Sequence, residues 1–179
     1  MSFTIQDAFF DNQDFKVITQ IERGAFASVY LVENKNDHKK YALKIFTTFN
    51  KNDANFQKSL MIEISIHQKV NHPAICKFYG INFVSLTNPD QFQPSMLIDY
   101  CQNGSLYKMI NLERRSILPY YWNFTKRIIV LIGIAHSLKY LHEQGIIYRD
   151  LKPEIVVLDD YFYPKLIDFD SIERKSIEW

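Results

Sequence analysis

A chain of 179 residues, 47% of them hydrophobic, is long enough to bury a sizeable core, and its length suggests one domain or slightly more. Its 21 lysines and arginines nearly cancel 20 aspartates and glutamates, leaving no cationic footprint for nucleic acid or an anionic membrane. The cysteines, Cys76 and Cys101, make neither a disulfide framework nor a metal-ligand spacing, and the first residues lack a signal peptide's basic and apolar regions; a reducing, cytoplasmic setting is expected.

In chain order, Phe15 to Arg23 and Ser28 to Glu33 read as strands separated by Gly24-Ala25-Phe26-Ala27. The polar cluster Asn34 to His38 makes a turn before a third strand, Tyr41 to Phe46, so the three form an antiparallel meander. A helix follows, capped by Asn52 or Asp53, with Phe56, Leu60 and Ile64 on one face, and Asn71-His72-Pro73 ends it. Ile75 to Phe83 and Ser95 to Asp99 add two strands. The pattern then turns helical. Ser105 caps a short helix, and Trp122 to Gln144 is a long one stopped by Gly145. Its apolar face is expected to be Phe124, Ile128, Leu131, Ala135 and Leu138, widened by Ile129, Ile132 and Ile134. The run Ile128 to Ile134 is too short to cross a bilayer.

The most informative stretch is Tyr148-Arg149-Asp150-Leu151-Lys152-Pro153-Glu154-Ile155, a charged loop between apolar Ile146-Ile147 and Val156-Val157-Leu158. A carboxylate that orients a hydroxyl and an ammonium that neutralises phosphate suit phosphoryl transfer. The stretch resembles the catalytic loop of protein kinases, H-R-D-L-K-P-E-N, with Tyr148 for histidine and Ile155 for asparagine. Four other segments resemble that family's landmarks in the right order. Glu22 to Val29 resembles the glycine-rich loop over ATP, keeping Gly24 while Glu22 and Ala27 replace the outer glycines. Tyr41-Ala42-Leu43-Lys44 resembles the strand whose lysine contacts the α- and β-phosphates, with Glu63 at the position of its helical partner. Met96 to Cys101 resembles the adenine hinge, and Lys165 to Asp170 the segment ending in D-F-G. Singly, each has a plainer reading: a hairpin glycine, a surface lysine, a solvated glutamate, a core strand. Together and in order they are far more specific.

The resemblance implies an α+β, protein-kinase-like fold: a five-stranded antiparallel N-lobe with one αC-type helix over residues 1–98, a hinge at 99–104, and a mainly helical C-lobe over 105–179. It implies ATP and Mg²⁺ as cofactors. Asp150 and Lys152 would be catalytic, and Asp168 would hold the metal. Glu22, Gly24, Val29, Ala42, Lys44, Glu63, Asp99, Cys101 and Val157 would line the nucleotide, with Ile98 as gatekeeper. Lys152 after Asp150-Leu151 is the serine/threonine-type signature. His67, Phe78, Tyr148 and Phe169 stand at the positions of the family's regulatory spine, which is altered at His67, where the family usually has an aliphatic residue; no histidine has metal-ligand spacing with another donor.

Two departures weigh against full activity. Ile155 offers no oxygen to a second Mg²⁺, and Asp170 replaces a glycine whose backbone freedom lets the segment move. The end at Trp179 carries the expectation of a truncated C-lobe, with Ile129, Ile132 and Ile134 left wet unless a protein partner covers them. Three readings stand: an impaired serine/threonine kinase acting on a protein substrate, a nucleotide-binding pseudokinase or scaffold, and a truncated fragment without independent function.

Overall fold

Strand-forming residues between polar turns build a sheet from β1 (Phe15–Arg23), β2 (Ala27–Asn34), β3 (Lys40–Phe46), β4 (Phe78–Val84) and β5 (Phe92–Asp99). The strands pair antiparallel in the order β1-β2-β3-β5-β4. The structure is a computed structural model and describes residues 9–47, 53–88, 90–169 and 173–174. The chain divides into two units: Met1–Lys58 with Lys77–Tyr100, and Ser59–Cys76 with Cys101–Trp179.

In the first unit, the two-residue period of the strands sorts side chains onto opposite faces. Val32, Leu43, Ile45 and Leu97 are buried together on one face, with Phe10, Phe15, Tyr30 and Leu86 packed around them. The cross-strand pairs Val29–Lys44, Ala42–Ile98 and Lys44–Met96 define the other face. The expected fourth strand begins later than its sequence suggests. Ile75 instead makes an isolated parallel bridge to Leu166, and pairing with β5 starts only at Phe78.

Asp53 caps α1 (Ala54–His67) through a 3.2 Å bond from the Phe56 amide to its carboxylate; the alternative cap, Asn52, lies outside the described residues. Leu60, Glu63, Ile64, Ile66 and His67 of this helix are buried.

The second unit takes its helices from two clear caps. Ser105 Oγ accepts from the Lys108 amide at 3.3 Å and opens α2 (Leu106–Arg114). Asn123 Oδ1 accepts from the Lys126 amide at 3.1 Å and opens α3 (Phe124–Glu143). Gly145, at φ +70°, ends α3 in the left-handed geometry that favours glycine. Short antiparallel ribbons follow: β6 (Ile146–Ile147) with β9 (Glu173–Arg174), and β7 (Val156–Leu158) with β8 (Pro164–Leu166). The core gathers Ile66, Ile75, Leu141, Ile146, Tyr148, Ile155, Val156, Leu166 and Phe169. A smaller cluster joins Met109, Trp122, Val130, Leu158 and Phe162.

The buried face of α3 is only in part the expected one: Leu138 and Ile134 pack inward, and the rest of that face does not. Phe124 is 72% exposed and Leu131 60%, and Ile128 and Ala135 are also exposed. The buried stripe is Val130, Ser137 and Leu141, with Ile134 and Leu138 packed beside it. A helix apolar on most sides has no single amphipathic phase, so spacing alone could not choose the inner face. Of the three isoleucines expected to be left wet, Ile132 is 53% exposed, Ile129 is half-buried and Ile134 packs against both clusters. Among the described residues, no helix is long and apolar enough to cross a membrane.

Candidate functional site

The sheet carries the first half of the expected site. Strand register places Val29, Ala42, Lys44 and Ile98 on one face, so residues separated by up to 69 positions share a surface without any special contact being needed. Gly24 lies in the β1–β2 turn, where its amide donates to the Ala27 carbonyl at 2.8 Å. A Cβ on Gly24 would sit 3.3 Å from that oxygen, which gives glycine a local structural role there. The turn is tied to the end of β3 by the Thr47 amide, which donates to the Phe26 carbonyl at 2.9 Å. Glu22, opposite Val29 in the register, is exposed.

Lys44 places its Nζ 5.2 Å from the centre of the Phe46 ring, a cation–π contact along β3. At the end of β5, Asp99 is held on both ends. Its amide donates to the Lys77 carbonyl at 3.0 Å, and its carboxylate accepts from the Lys77 amide at 3.0 Å and the Tyr79 hydroxyl at 2.9 Å. Sequence reasoning did not single out Lys77 or Tyr79. Lys77 precedes β4 and Tyr79 falls at the register shift between Phe78 and Gly80, so no regular spacing marked either one.

The second unit carries the catalytic-loop half. Asp150 and Lys152 form an ion pair, each about half exposed, so a carboxylate and an ammonium share one small patch. A 3-10 turn over Pro153–Ile155 follows. Ile155 is only 4% exposed and belongs to the main core, where its carbonyl accepts from the Ile167 amide at 3.1 Å. Val157 is half-buried on the strand face opposite its buried neighbours Val156 and Leu158.

Tyr148 joins this loop to the D-F segment. Its ring is buried, and its hydroxyl donates to the carbonyl oxygens of Ile167 and Asp168, the latter at 2.7 Å. Asp168 has φ +58°, a left-handed conformation that aspartate tolerates better than most residues. Asp170, where the sequence raised the same question, lies outside the described residues, as do 171–172 and 175–179.

Phe169 is fully buried. It meets the His67 ring edge-on at 4.8 Å and the Tyr148 ring edge-on at 5.6 Å. Three of the four expected spine residues therefore pack together, and Phe78 belongs to the first unit, opposite Ile98. Glu63 is 2% exposed in α1; a carboxylate so buried requires charge or hydrogen-bond compensation. Cys101 is half-buried at the start of the second unit.

Chemically, the Asp150–Lys152 pair can orient a hydroxyl and offer positive charge to a phosphate. Asp168 offers one carboxylate, which suits Mg²⁺ because that ion is often held by one or two carboxylates together with phosphate oxygens. Ile155 offers nothing to a cation. Among the described residues, no group of three or more His, Cys, Asp or Glu side chains is placed to hold a metal by itself.

The family described as Protein kinase domain matches residues 15–176. The serine/threonine-protein kinase sgk-1 of Caenorhabditis elegans is 32% identical over 157 residues, covering 87% of this chain and 31% of the relative. An Aurora kinase of Saccharomyces cerevisiae is 30% identical over 156 residues, covering 87% of this chain and 39% of its own. A cGMP-dependent protein kinase of Toxoplasma gondii is 32% identical over 173 residues, covering 95% and 16%. The chain thus spans well under half the length of these curated relatives. The family match runs from the first strand of the sheet through the catalytic loop and the D-F segment, and on that ground the chain belongs to the protein kinase domain family.

Proposed function

We propose that the chain binds ATP with Mg²⁺ and performs serine/threonine-type phosphoryl transfer to a protein at a reduced rate. The observation that carries this reading is the contrast inside one loop: Asp150 and Lys152 are kept and paired, while Ile155 is committed to the hydrocarbon core. The serine/threonine type is supported by Lys152 following Asp150-Leu151 and by the printed name of the nematode relative.

Val29, Ala42 and Ile98 supply the apolar surface suited to a base, with the backbone of Asp99 and Cys101 at the hinge and Val157 as a further apolar contact. Gly24 suits close backbone approach to phosphate, although the Glu22 carboxylate nearby in sequence weakens that attraction. Lys44 would contact the α- and β-phosphates, and Glu63 is proposed as the carboxylate that keeps its charge in place. Bound Mg²⁺ would neutralise phosphate charge, and the donor set fits one ion through Asp168 but not a second through Ile155. Asp150 would orient the acceptor hydroxyl, and Lys152 would face the phosphate that moves. Losing one such electrostatic contribution commonly lowers a rate by about 10²–10³. A second reading, a nucleotide-binding pseudokinase that acts as a scaffold, is favoured by the same burial of Ile155.

Thermal melting with ATP, with and without Mg²⁺, tests binding: stabilisation is expected in the parent chain and lost in Lys44→Met. The absence of any nucleotide effect in the parent would refute both readings. Transfer of labelled phosphate to a protein acceptor then separates them. Slow incorporation that disappears in Asp150→Ala supports the enzyme, and equal incorporation in both leaves only the scaffold.

A further inference from the structure

The two cysteines of the chain lie 25 positions apart and meet in space. Cys76 Sγ and Cys101 Sγ are 3.9 Å apart, both as thiols. A disulfide bond is about 2.05 Å long, so bonding requires the sulfurs to close by roughly 2 Å, a distance on the scale of side-chain rotation. The two sites differ in a way that assigns roles. Cys76 is 1% exposed and is fixed by its amide, which donates to the Leu166 carbonyl at 3.0 Å. Cys101 is half-buried and begins a turn in which its carbonyl accepts from the Gly104 amide at 3.1 Å. An oxidant from solvent therefore reaches Cys101 first, and the sheltered Cys76 is the nearby sulfur able to resolve the product.

We propose that Cys76 and Cys101 form a reversible disulfide modification site closed by a hydroperoxide. The Cys101 thiolate attacks one peroxide oxygen: an S–O bond forms, the O–O bond breaks, and the departing hydroxide takes up a proton as water. Cys76 then attacks the Cys101 sulfur of the sulfenic acid: the S–S bond forms, the S–O bond breaks, and a second water leaves. Two thiols and one hydrogen peroxide thus give one disulfide and two waters, with two electrons passing from sulfur to peroxide. A dithiol reopens the bridge by exchange and becomes a disulfide itself. None of these steps involves nucleotide, so the proposal goes beyond the kinase reading and survives its failure.

The test treats the full chain with hydrogen peroxide and measures intact mass without reductant. The expected product is a monomer lighter by about 2 Da, the loss of two hydrogens, restored by dithiothreitol. Because the chain has only these two cysteines, such a monomer identifies the pair, and peptide mapping must show the two segments joined. In Cys76→Ser, checked for parental melting under reductant, the resolving sulfur is gone, and Cys101 should retain oxygen that dimedone traps. Unchanged mass in the parent, retention of oxygen on Cys101 with Cys76 present, or linkage only between separate chains would each overturn the proposal.

Discussion

The hydroxyl of Tyr148 donates a 2.7 Å hydrogen bond to the carbonyl oxygen of Asp168, tying the loop that bears Asp150 and Lys152 to the segment that carries the candidate metal ligand. The same hydroxyl reaches the Ile167 carbonyl, so one phenol fixes two successive peptides beside a left-handed aspartate. Left-handed geometry at a non-glycine residue persists where its surroundings hold it. Tyr148→Phe keeps the ring against Phe169 and removes only that hold. Leaving part-buried carbonyls without their donor costs about 1–3 kcal/mol. We expect the denaturation midpoint to fall at unchanged slope, with a smaller Mg²⁺-dependent shift in ATP-induced stabilisation. A phenylalanine variant that unfolds at the parental midpoint would show that the bond holds nothing.

Ile155 presents a conflict between stability and chemistry. At 4% exposure within the core, it contributes packing that an asparagine cannot replace, and truncation of a buried isoleucine costs about 2–5 kcal/mol. Asparagine would also restore the carboxamide that the kinase resemblance places there. Ile155→Asn should therefore be clearly less stable, yet, at a temperature where it remains folded, faster in Mg²⁺-dependent phosphate transfer. Ile155→Val, which removes only a methylene, should lose about 0.5–1.5 kcal/mol and gain no rate. A folded Ile155→Asn with parental or lower transfer would mean that the missing metal ligand is not what limits turnover.

Much of this was legible in the sequence because it was local or ordered. β1 was read with its observed bounds, and Asp53, Ser105 and Gly145 gave caps and a stop that act within a few residues. The inner face of α3 was not legible, since isoleucines and leucines surround most of that helix and the choice rests on what packs against it. Neither the Tyr148 hydrogen bonds nor the Cys76–Cys101 approach leaves a trace in spacing, because each depends on how distant segments meet.

Gly133 sits in the middle of α3, where glycine is ordinarily a weakness. Replacing it with alanine in an exposed helix would stabilise by about 1 kcal/mol. Here a Cβ would lie 2.4 Å from Pro164 Cγ and 3.0 Å from its Cδ. The proline ring begins β8 and is itself buried, so little space exists for it to yield. Overpacking of this kind costs about 1–3 kcal/mol, which outweighs the propensity gain. Gly133→Ala should unfold at lower urea than the parent, and Gly133→Ala with Pro164→Ala should recover part of the loss. A single variant more stable than the parent would mean that the helix and ribbon separate freely.

His72 gives the chain a dependence on mild acid. Burial holds its pKa below the ordinary value of 6.5, with the charge of His136 acting in the same direction. Its Nδ1 accepts the Ala74 amide at 3.1 Å, a bond that only the neutral ring can make, and the ring stacks on Tyr140 at 5.1 Å. Above pH 6.5 the ring is neutral in folded and unfolded chains, and its contribution to stability is complete. As pH falls through 6.5, the unfolded chain takes up a proton that the folded chain resists. Stability is then lost progressively until the lowered folded value is reached. Urea midpoints should therefore decline across this window. His72→Asn, which can still accept the Ala74 amide but does not titrate, should flatten the decline. His136→Gln removes the secondary repulsion and should narrow the window from its acid side. A pH profile unchanged by His72→Asn would assign the decline to other groups.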